Sequence, residues 1–404
     1  MTTRSKLALA ATVTAALALA APLATASPST AAPEPNPAPL IRSGNPVAGK
    51  YIVTLDKLVD PAKAAEKLGV KPTFLYTKAL NGFAVPLTPL QLTLVRNSLG
   101  VKAVEEDSKL SSPASEGVPS RSAPRGPASA WGLDRIDQKQ LPLDGNFTTE
   151  GNGAGVTAYI LDTGIDYKHT EFGGPDNSRA TFGFDAVGDG RDGMDCNGHG
   201  THVAGTVAGK TYGVASKANL VSVRVLNCEG KGEYSGMIAG LDWVMKNAKQ
   251  PAVLNASLGG DKSAALDAAA TALSDAGVLP IVAAGNDAKD AGTVSPASAD
   301  RVVTVAASNK YDEETDFSNW GTAVELYAPG EDILSAKLGG GSVSLNGTSM
   351  AAPHVTGAAV LYMQAHPKAD PAELADFLEE GSTKDVLKKI SKSSPNALLF
   401  TGGL

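Results

Sequence analysis

Aromatic residues make up only 5% of this 404-residue chain, while glycines number 43. That balance implies many tight turns and close backbone approaches. Basic charge is also scarce: 35 Lys and Arg stand against 42 Asp and Glu, a formal net charge of −7. A nucleic-acid partner is therefore not expected, since such binders usually carry a basic face. Past the N-terminal region no long uninterrupted apolar run occurs. The mature chain should be soluble, with no membrane partner. Only two cysteines are present, Cys196 and Cys228. In a secreted chain an even count suggests pairing, and two allow one connectivity; two free buried thiols are the alternative.

The one long apolar stretch lies at the start. Arg4 and Lys6 precede an Ala/Leu-rich run from Leu7 to Ala21, and Ala24-Thr25-Ala26 offers small residues before a cut at Ser27. Residues 1–26 read as a secretory signal, because the run is too short to span a bilayer comfortably. An extracellular location follows as the expectation.

Residues 27–48 are rich in Pro, Ala and Ser and are expected to be a disordered linker. Residues 49–107 read as a small α+β unit. Its strands are expected at 50–55, 74–77, 82–86 and 101–106. Its helices are expected at 60–68, with Asp60 as N-cap and Pro61 in the first turn, and at 88–97. The order βαββαβ suits an open ferredoxin-like sheet. Residues 108–130, with Ser, Pro, Gly and two arginines, form a processing linker of the kind where proteolytic nicking concentrates. Residues 131–404 read as one large α/β domain. Apolar-leaning runs at 156–161, 219–225, 252–256, 278–284 and 302–306 alternate with helical patterns at 234–249 and 264–276. That alternation predicts a mostly parallel sheet with strands buried on both faces.

Four segments carry chemistry. Asp162-Thr163-Gly164 closes the first strand of the large domain, and ligands in such sheets bind beyond strand carboxyl ends. Asn197-Gly198-His199-Gly200-Thr201-His202 places a histidine between glycines where a helix opens. Ala283-Ala284-Gly285-Asn286 ends in an amide after a tight turn. Gly347-Thr348-Ser349-Met350-Ala351-Ala352-Pro353-His354 puts a serine at the mouth of a helix, among small residues. A serine hydroxyl is a poor nucleophile near neutral pH without a base. Here Ser349 has His199 as base and Asp162 to fix the tautomer of His199. The Asn286 amide and the Ser349 backbone N–H would receive the oxyanion. His199 and His202 do not read as a metal pair. A zincin needs His-Glu-x-x-His, whereas these two are one residue too close and Gly200 replaces the glutamate. His202 and His354 are expected to be structural. Gly151 to Gly155 precede a strand instead of following one, so they are no dinucleotide fingerprint. Ala351 breaks the Gly-x-Ser-x-Gly elbow of the α/β-hydrolases.

The chain order Asp, His, Asn, Ser with these flanks resembles the subtilisin-like serine peptidases. Trp131-Gly132-Leu133-Asp134-Arg135-Ile136-Asp137-Gln138, Asp195-Cys196-Asn197-Gly198-His199, Tyr212-Gly213-Val214-Ala215 and Phe317-Ser318-Asn319-Trp320-Gly321 resemble above all its proteinase K and aqualysin-like branch. The resemblance implies a subtilisin-like three-layer α/β fold for residues 131–404. It also implies that residues 49–107 are an inhibitory propeptide that aids folding, blocks the cleft and is removed autocatalytically between residues 110 and 130. Ser257-Leu258-Gly259-Gly260 and Ala283-Ala284-Gly285 would line the P1 pocket, whose neutral, small walls suit an apolar or aromatic side chain. Asp261 lies just past that wall, where it could favour a basic residue. The edge from Gly230 to Tyr234, with Gly232 and Tyr234, would pair with substrate as an added strand. No cofactor is implied for catalysis. A structural calcium would use Asp300, Val302 and Glu325, where relatives supply two main-chain carbonyls and an aspartate. Other cysteines of the family are absent, which leaves Cys196–Cys228 as the bridge.

The expectation is a secreted, monomeric serine endopeptidase of broad specificity, made as a zymogen. A catalytically silent peptide-groove protein, or an esterase or ligase on the same triad, are the alternatives.

Overall fold

The computed structural model describes residues 36–112, 130–391 and 393–404. The expected signal, residues 27–35 and residues 113–129 of the expected linkers lie outside these.

The N-terminal unit runs β1 (Leu40–Ile41), β2 (Pro46–Leu55), α1 (Pro61–Leu68), β3 (Phe74–Tyr76), β4 (Gly82–Pro86), α2 (Pro89–Arg96) and β5 (Val101–Ser111). Both helices begin where the sequence places their caps. The Asp60 and Thr88 side chains accept from the N–H groups of Lys63 and Gln91, and proline follows each cap. The sheet order β1-β5-β2-β4-β3 sets the last strand beside β2, the arrangement of a βαββαβ unit. Two boundaries differ from expectation. Residues 36–48 are not wholly disordered: Leu40–Ile41 pairs in parallel with β5, and β2 already begins at Pro46. Likewise the last strand continues past Glu106 to Ser111, because a distant edge of the chain receives it.

The large domain contains α3 (Trp131–Ile136), β6 (Thr157–Asp162), β7 (Ala180–Asp185), α4 (His199–Ala208), β8 (Asn219–Arg224), β9 (Lys231–Glu233) and α5 (Tyr234–Asn247). It continues with β10 (Ala252–Ala256), β11 (Gly260–Asp261), α6 (Ala264–Asp275), β12 (Leu279–Ala283), β13 (Val294–Ser295), β14 (Val303–Ser308) and β15 (Leu326–Pro329). Last come β16 (Ile333–Ala336), β17 (Ser342–Leu345), α7 (Thr348–Ala365), α8 (Pro371–Glu380), β18 (Thr383–Lys384) and β19 (Ala397–Leu398). A nine-stranded sheet has the order β18-β19-β15-β14-β12-β10-β6-β8-β7 and is parallel except at β18–β19. Every residue of β10, β12 and β14 is buried, which is why these strands read as continuous apolar runs.

Helices cover both faces. Val203, Val207, Val355 and Ala359 of α4 and α7 pack with Ile160, Ile281 and Val305 on one side. Met237, Leu241, Leu266 and Leu273 of α5 and α6 pack with Leu161, Leu254 and Val282 on the other. Each such fully buried Val, Leu, Ile or Met side chain contributes about 1.5–3 kcal/mol of transfer free energy. Strand β6 lies where the order reverses, with β8 and β7 to one side and β10 onward to the other. Asp162 ends β6 at that switch point, the usual place for a site in an open α/β sheet.

The N-terminal unit packs its sheet on α5, where Ile52, Tyr76 and Ala84 share a core with Tyr234, Met237 and Leu241. Polar contacts register the two parts. The Asp242 carboxylate accepts from the N–H groups of Thr77, Lys78 and Ala79 at 3.0, 2.6 and 2.9 Å. Asp107 accepts from Ser235 N–H at 3.1 Å and Glu105 from Ala265 N–H at 3.1 Å, so each carboxylate meets the positive end of a helix.

Candidate active site

The site is assembled from strand ends and helix starts. At the end of β6 the Asp162 carboxylate is fully buried and faces His199, the first residue of α4. His199 Nδ1 lies 2.8 Å from Oδ1 and 3.0 Å from Oδ2. A carboxylate only accepts, so Nδ1 donates, and Nε2 is left as the basic nitrogen. Nε2 is buried and has no hydrogen-bond partner among the described residues. Burial disfavours the imidazolium, but the charge and hydrogen bond of Asp162, with a further contribution from Asp195, outweigh it and hold His199 above its ordinary 6.5. Gly200 is what allows this approach: a Cβ there would lie 2.2 Å from the Gly164 carbonyl oxygen and 3.2 Å from the Asp162 Cβ.

Ser349 is the second residue of α7, which starts one residue earlier than the sequence suggests. Its Oγ donates to the Ser257 carbonyl at 3.0 Å, and no hydrogen bond joins it to His199. Pro353, inside the same helix, has no N–H to give the Ser349 carbonyl. The Ser257 hydroxyl supplies that bond at 2.9 Å. Asn255 supports Ser257 at 2.8 Å, and Thr356 of α7 donates to Asn255 at 2.8 Å. The serine is thus fixed through its main chain from β10.

Asn286 follows β12. Its Oδ1 accepts from both the N–H and the hydroxyl of Thr348, at 2.9 and 2.8 Å. That assigns the amide orientation and leaves Nδ2 as the free donor. The Ser349 N–H lies in the first turn of α7, where helical N–H groups have no intrahelical acceptor. Gly347 between them has φ 147°, and a Cβ there would come within 3.0 Å of Asn286 Nδ2. Only glycine leaves that donor clear.

The tail of the N-terminal unit lies along the cleft. Lys109, Leu110 and Ser111 pair antiparallel with Glu233, Gly232 and Lys231 of β9. On its other side Ser111 forms a bridge with Gly259. Ser112 N–H donates to Gly230 O at 3.0 Å. A cavity of about 170 Å³ opens beside Ser111, walled by Leu258, Gly259, Gly260, Ala284, Gly285 and Val294.

Comparison with known proteins decides the family. The subtilase family profile matches residues 153–397. An extracellular serine proteinase of Thermus sp. (strain Rt41A) is 43% identical over 393 residues, covering 90% of this chain and 92% of its own. Alkaline serine exoprotease A of Vibrio alginolyticus is 45% identical over 329 residues, 81% of this chain and 60% of its own length. The crystal structure of a cold-adapted subtilisin-like serine proteinase superposes with TM-score 0.64 at 48% identity, covering 67% of this chain and 97% of that one. The chain belongs to the subtilase family. It is a serine endopeptidase with the subtilisin-like α/β fold.

Within this subtilase some expected site residues stand elsewhere. Tyr234 is not part of the pairing edge: it opens α5, is 1% exposed, and its hydroxyl donates to the Asp261 carbonyl. Ser257 is not a pocket wall but the fully buried support beneath Ser349. Thr348, which holds Asn286 and also accepts from Gly285 N–H at 3.0 Å, went unread, since a threonine beside a glycine reads as a turn former. Of the remaining histidines, His202 and His354 are structural. His202 Nε2 lies 3.0 Å from Ile333 O and 3.1 Å from Val343 O, and burial pushes it down to about 3. His354 Nδ1 accompanies Met350 O at 2.8 Å, and burial pushes it down to about 4.

Cys196 and Cys228 are joined, 32 residues apart in sequence, which ties the loop before His199 to the loop before β9. Closing such a loop stabilises by about 3–4 kcal/mol in the chain-entropy model. At the expected calcium donors Asp300, Val302 and Glu325, two oxygens accept hydrogen bonds from the protein. The Asp300 carbonyl accepts from the Thr271 hydroxyl at 2.9 Å, and a Glu325 oxygen accepts from Thr304 N–H at 2.5 Å. Burial also pushes Glu325 up to about 8.

Proposed function

We propose that the chain is a secreted zymogen whose Asp162, His199 and Ser349 hydrolyse peptide bonds through an acyl-enzyme, with residues 37–112 as its own cleft inhibitor. The observation that carries this reading is the His199 ring, held by Asp162 through Nδ1 with Nε2 buried and open. Oγ of Ser349 leaves the Ser257 carbonyl, passes its proton to His199 Nε2 and attacks the scissile carbonyl carbon. His199 then gives that proton to the leaving amine, and water repeats the sequence to release the acid. Asp162 keeps Nδ1 protonated throughout and stabilises the imidazolium. The Asn286 Nδ2 and Ser349 N–H groups receive the oxyanion.

Substrate would replace Lys109–Ser112 as the strand between β9 and Gly259, main chain giving affinity and side-chain pockets giving specificity. Leu258, Ala284 and Val294 give this cavity an apolar side that supports an apolar or aromatic residue before the cut bond, while Asp261, Asp287 and Lys289 also line it. Hydrolysis of a fluorogenic peptide set by the processed chain tests the whole reading. A processed, folded chain that cleaves none of them would contradict it. Matched ester and amide substrates separate a peptidase from an esterase or ligase on the same triad.

Asn286→Ala should lower kcat about 10²–10³-fold with little change in KM, a magnitude taken from removal of the corresponding donor in subtilisin. Steady-state kinetics check it, and an unchanged kcat would remove Asn286 from the oxyanion site.

The acid limb has a defined sign. Protonated His199 cannot accept the Ser349 proton, so activity is lost as pH falls through a value raised above 6.5. A plot of log kcat/KM against pH should bend above about 6.5 and fall with unit slope below it. A profile flat down to about pH 4 would rule out His199 as the base.

A further inference from the structure

We propose that Asp195 is a positioning residue of the hydrolytic site, its buried carboxylate locking the turn after Asp162 to the helix that carries His199. The inference rests on the reading of Asp162 and His199 as the working pair. Asp195 is 6% exposed and receives five hydrogen bonds from two separate elements. Oδ1 accepts from the Thr163 hydroxyl at 3.0 Å, Asn197 N–H at 2.9 Å and Gly198 N–H at 3.0 Å. Oδ2 accepts from the N–H and hydroxyl of Thr201 at 3.0 and 2.6 Å.

The chain loops back from this point. Thr163 directly follows Asp162, and its hydroxyl oxygen in turn accepts from Gly200 N–H, next to His199, at 2.9 Å. The Thr201 hydroxyl oxygen accepts from Asp166 N–H at 3.0 Å. An aspartate that merely shaped the turn ahead of Asn197-Gly198 would need only the bonds from those two residues. Its remaining three bonds join the end of β6 to the first turn of α4. No salt bridge neutralises Asp195 among the described residues; hydrogen-bond donors and the N-terminal end of α4 compensate the buried charge. The joint matters because a misplacement of about 1 Å between reacting groups can cost about 10²-fold in rate.

The titratable groups facing His199 are Asp162 from β6, Asp195 from the loop before α4 and His202 one turn along α4. Burial keeps His202 neutral, so Asp195 is the second anion acting on His199. Removing its charge should therefore move the acid limb toward lower pH.

Asp195→Asn must turn an amide NH2 toward hydrogen-bond donors, breaking the joint and removing the charge together. Per active site titrated with a fluorophosphonate, kcat should fall about 10–100-fold with KM within about threefold. The acid limb should shift to lower pH. Thr163→Val breaks the joint and keeps the charge, so kcat should fall while the acid limb stays. Where Asp195→Asn does not process itself, the same shift is read in the unprocessed full chain, by NMR titration of His199 in a Ser349→Ala background. Parental kcat in both variants, or a His199 midpoint unmoved by Asp195→Asn, overturns the proposal. If Asp195→Asn does not fold, kcat of Thr163→Val alone decides. Failure of the underlying pair is a separate result, seen as full activity in Asp162→Asn.

Discussion

Ser349→Ala should leave a folded chain that neither hydrolyses peptides nor shortens itself, with kcat down about 10⁶-fold, the size found on removing the serine of subtilisin. The substitution removes one oxygen from a fully buried position at the start of α7. Its structural cost is one neutral hydrogen bond, from Oγ to the Ser257 carbonyl, worth about 1 kcal/mol net. The support from the Ser257 hydroxyl to the Ser349 carbonyl does not involve the side chain and survives. Asn286 Nδ2 and the residue 349 N–H also survive, so residual catalysis over water of about 10³–10⁴-fold is expected from the oxyanion site and binding. Intact mass reports processing and a fluorogenic peptide reports turnover. A variant that still matures alone and still turns over substrate would place the nucleophile elsewhere.

Asp162→Asn should cost about 10⁴-fold in kcat with KM nearly unchanged. The asparagine fits the same volume, and its oxygen can still accept from Thr163 N–H, which donates to Oδ1 at 2.7 Å. The NH2 group then takes the Oδ2 place, 3.0 Å from His199 Nδ1. An amide donor there makes Nδ1 the acceptor and puts the ring proton on Nε2, where it blocks transfer from Ser349. Loss of the buried charge also withdraws the main influence holding His199 up, so the acid limb should move to lower pH while the plateau drops. Kinetics across pH measure both effects. A loss smaller than tenfold, with the limb in place, would mean that Asp162 does not control the tautomer.

Much of the fold could be read from the chain because its signals are local. Strands buried on both faces are unbroken apolar runs at 252–256 and 278–284, and caps such as Asp60 and Thr88 sit beside prolines. The site residues were legible for the same reason, each lying in a short run of small residues at a strand end or helix start. The unread parts depend on partners far away in sequence. Lys109-Leu110-Ser111 has no strand pattern of its own; it is extended because β9 and Gly259 stand on either side. Tyr234 reads both as the start of the 234–249 helical pattern and as the end of a pairing edge; the fold keeps the first, with α5 opening there without a side-chain cap. The roles of Ser257 and Thr348 follow from a carbonyl freed by Pro353 and from an amide on another loop. Glu325 passes for a ligand in sequence, and its burial becomes visible only in the fold.

The strand formed by Lys109–Ser112 has a further consequence. While the chain is continuous, its cleft faces that strand at an effective concentration of about millimolar, whatever the protein concentration outside. On the proposed reading, blocking would then be independent of dilution. Once the chain between residues 112 and 130 is cut, the same contacts belong to two molecules, and their occupancy depends on how many of each a given volume holds. On the proposed reading, crowded enzyme would stay silent and dispersed enzyme would become active, so the first cut would change the molecularity of the block, and dilution would complete its release.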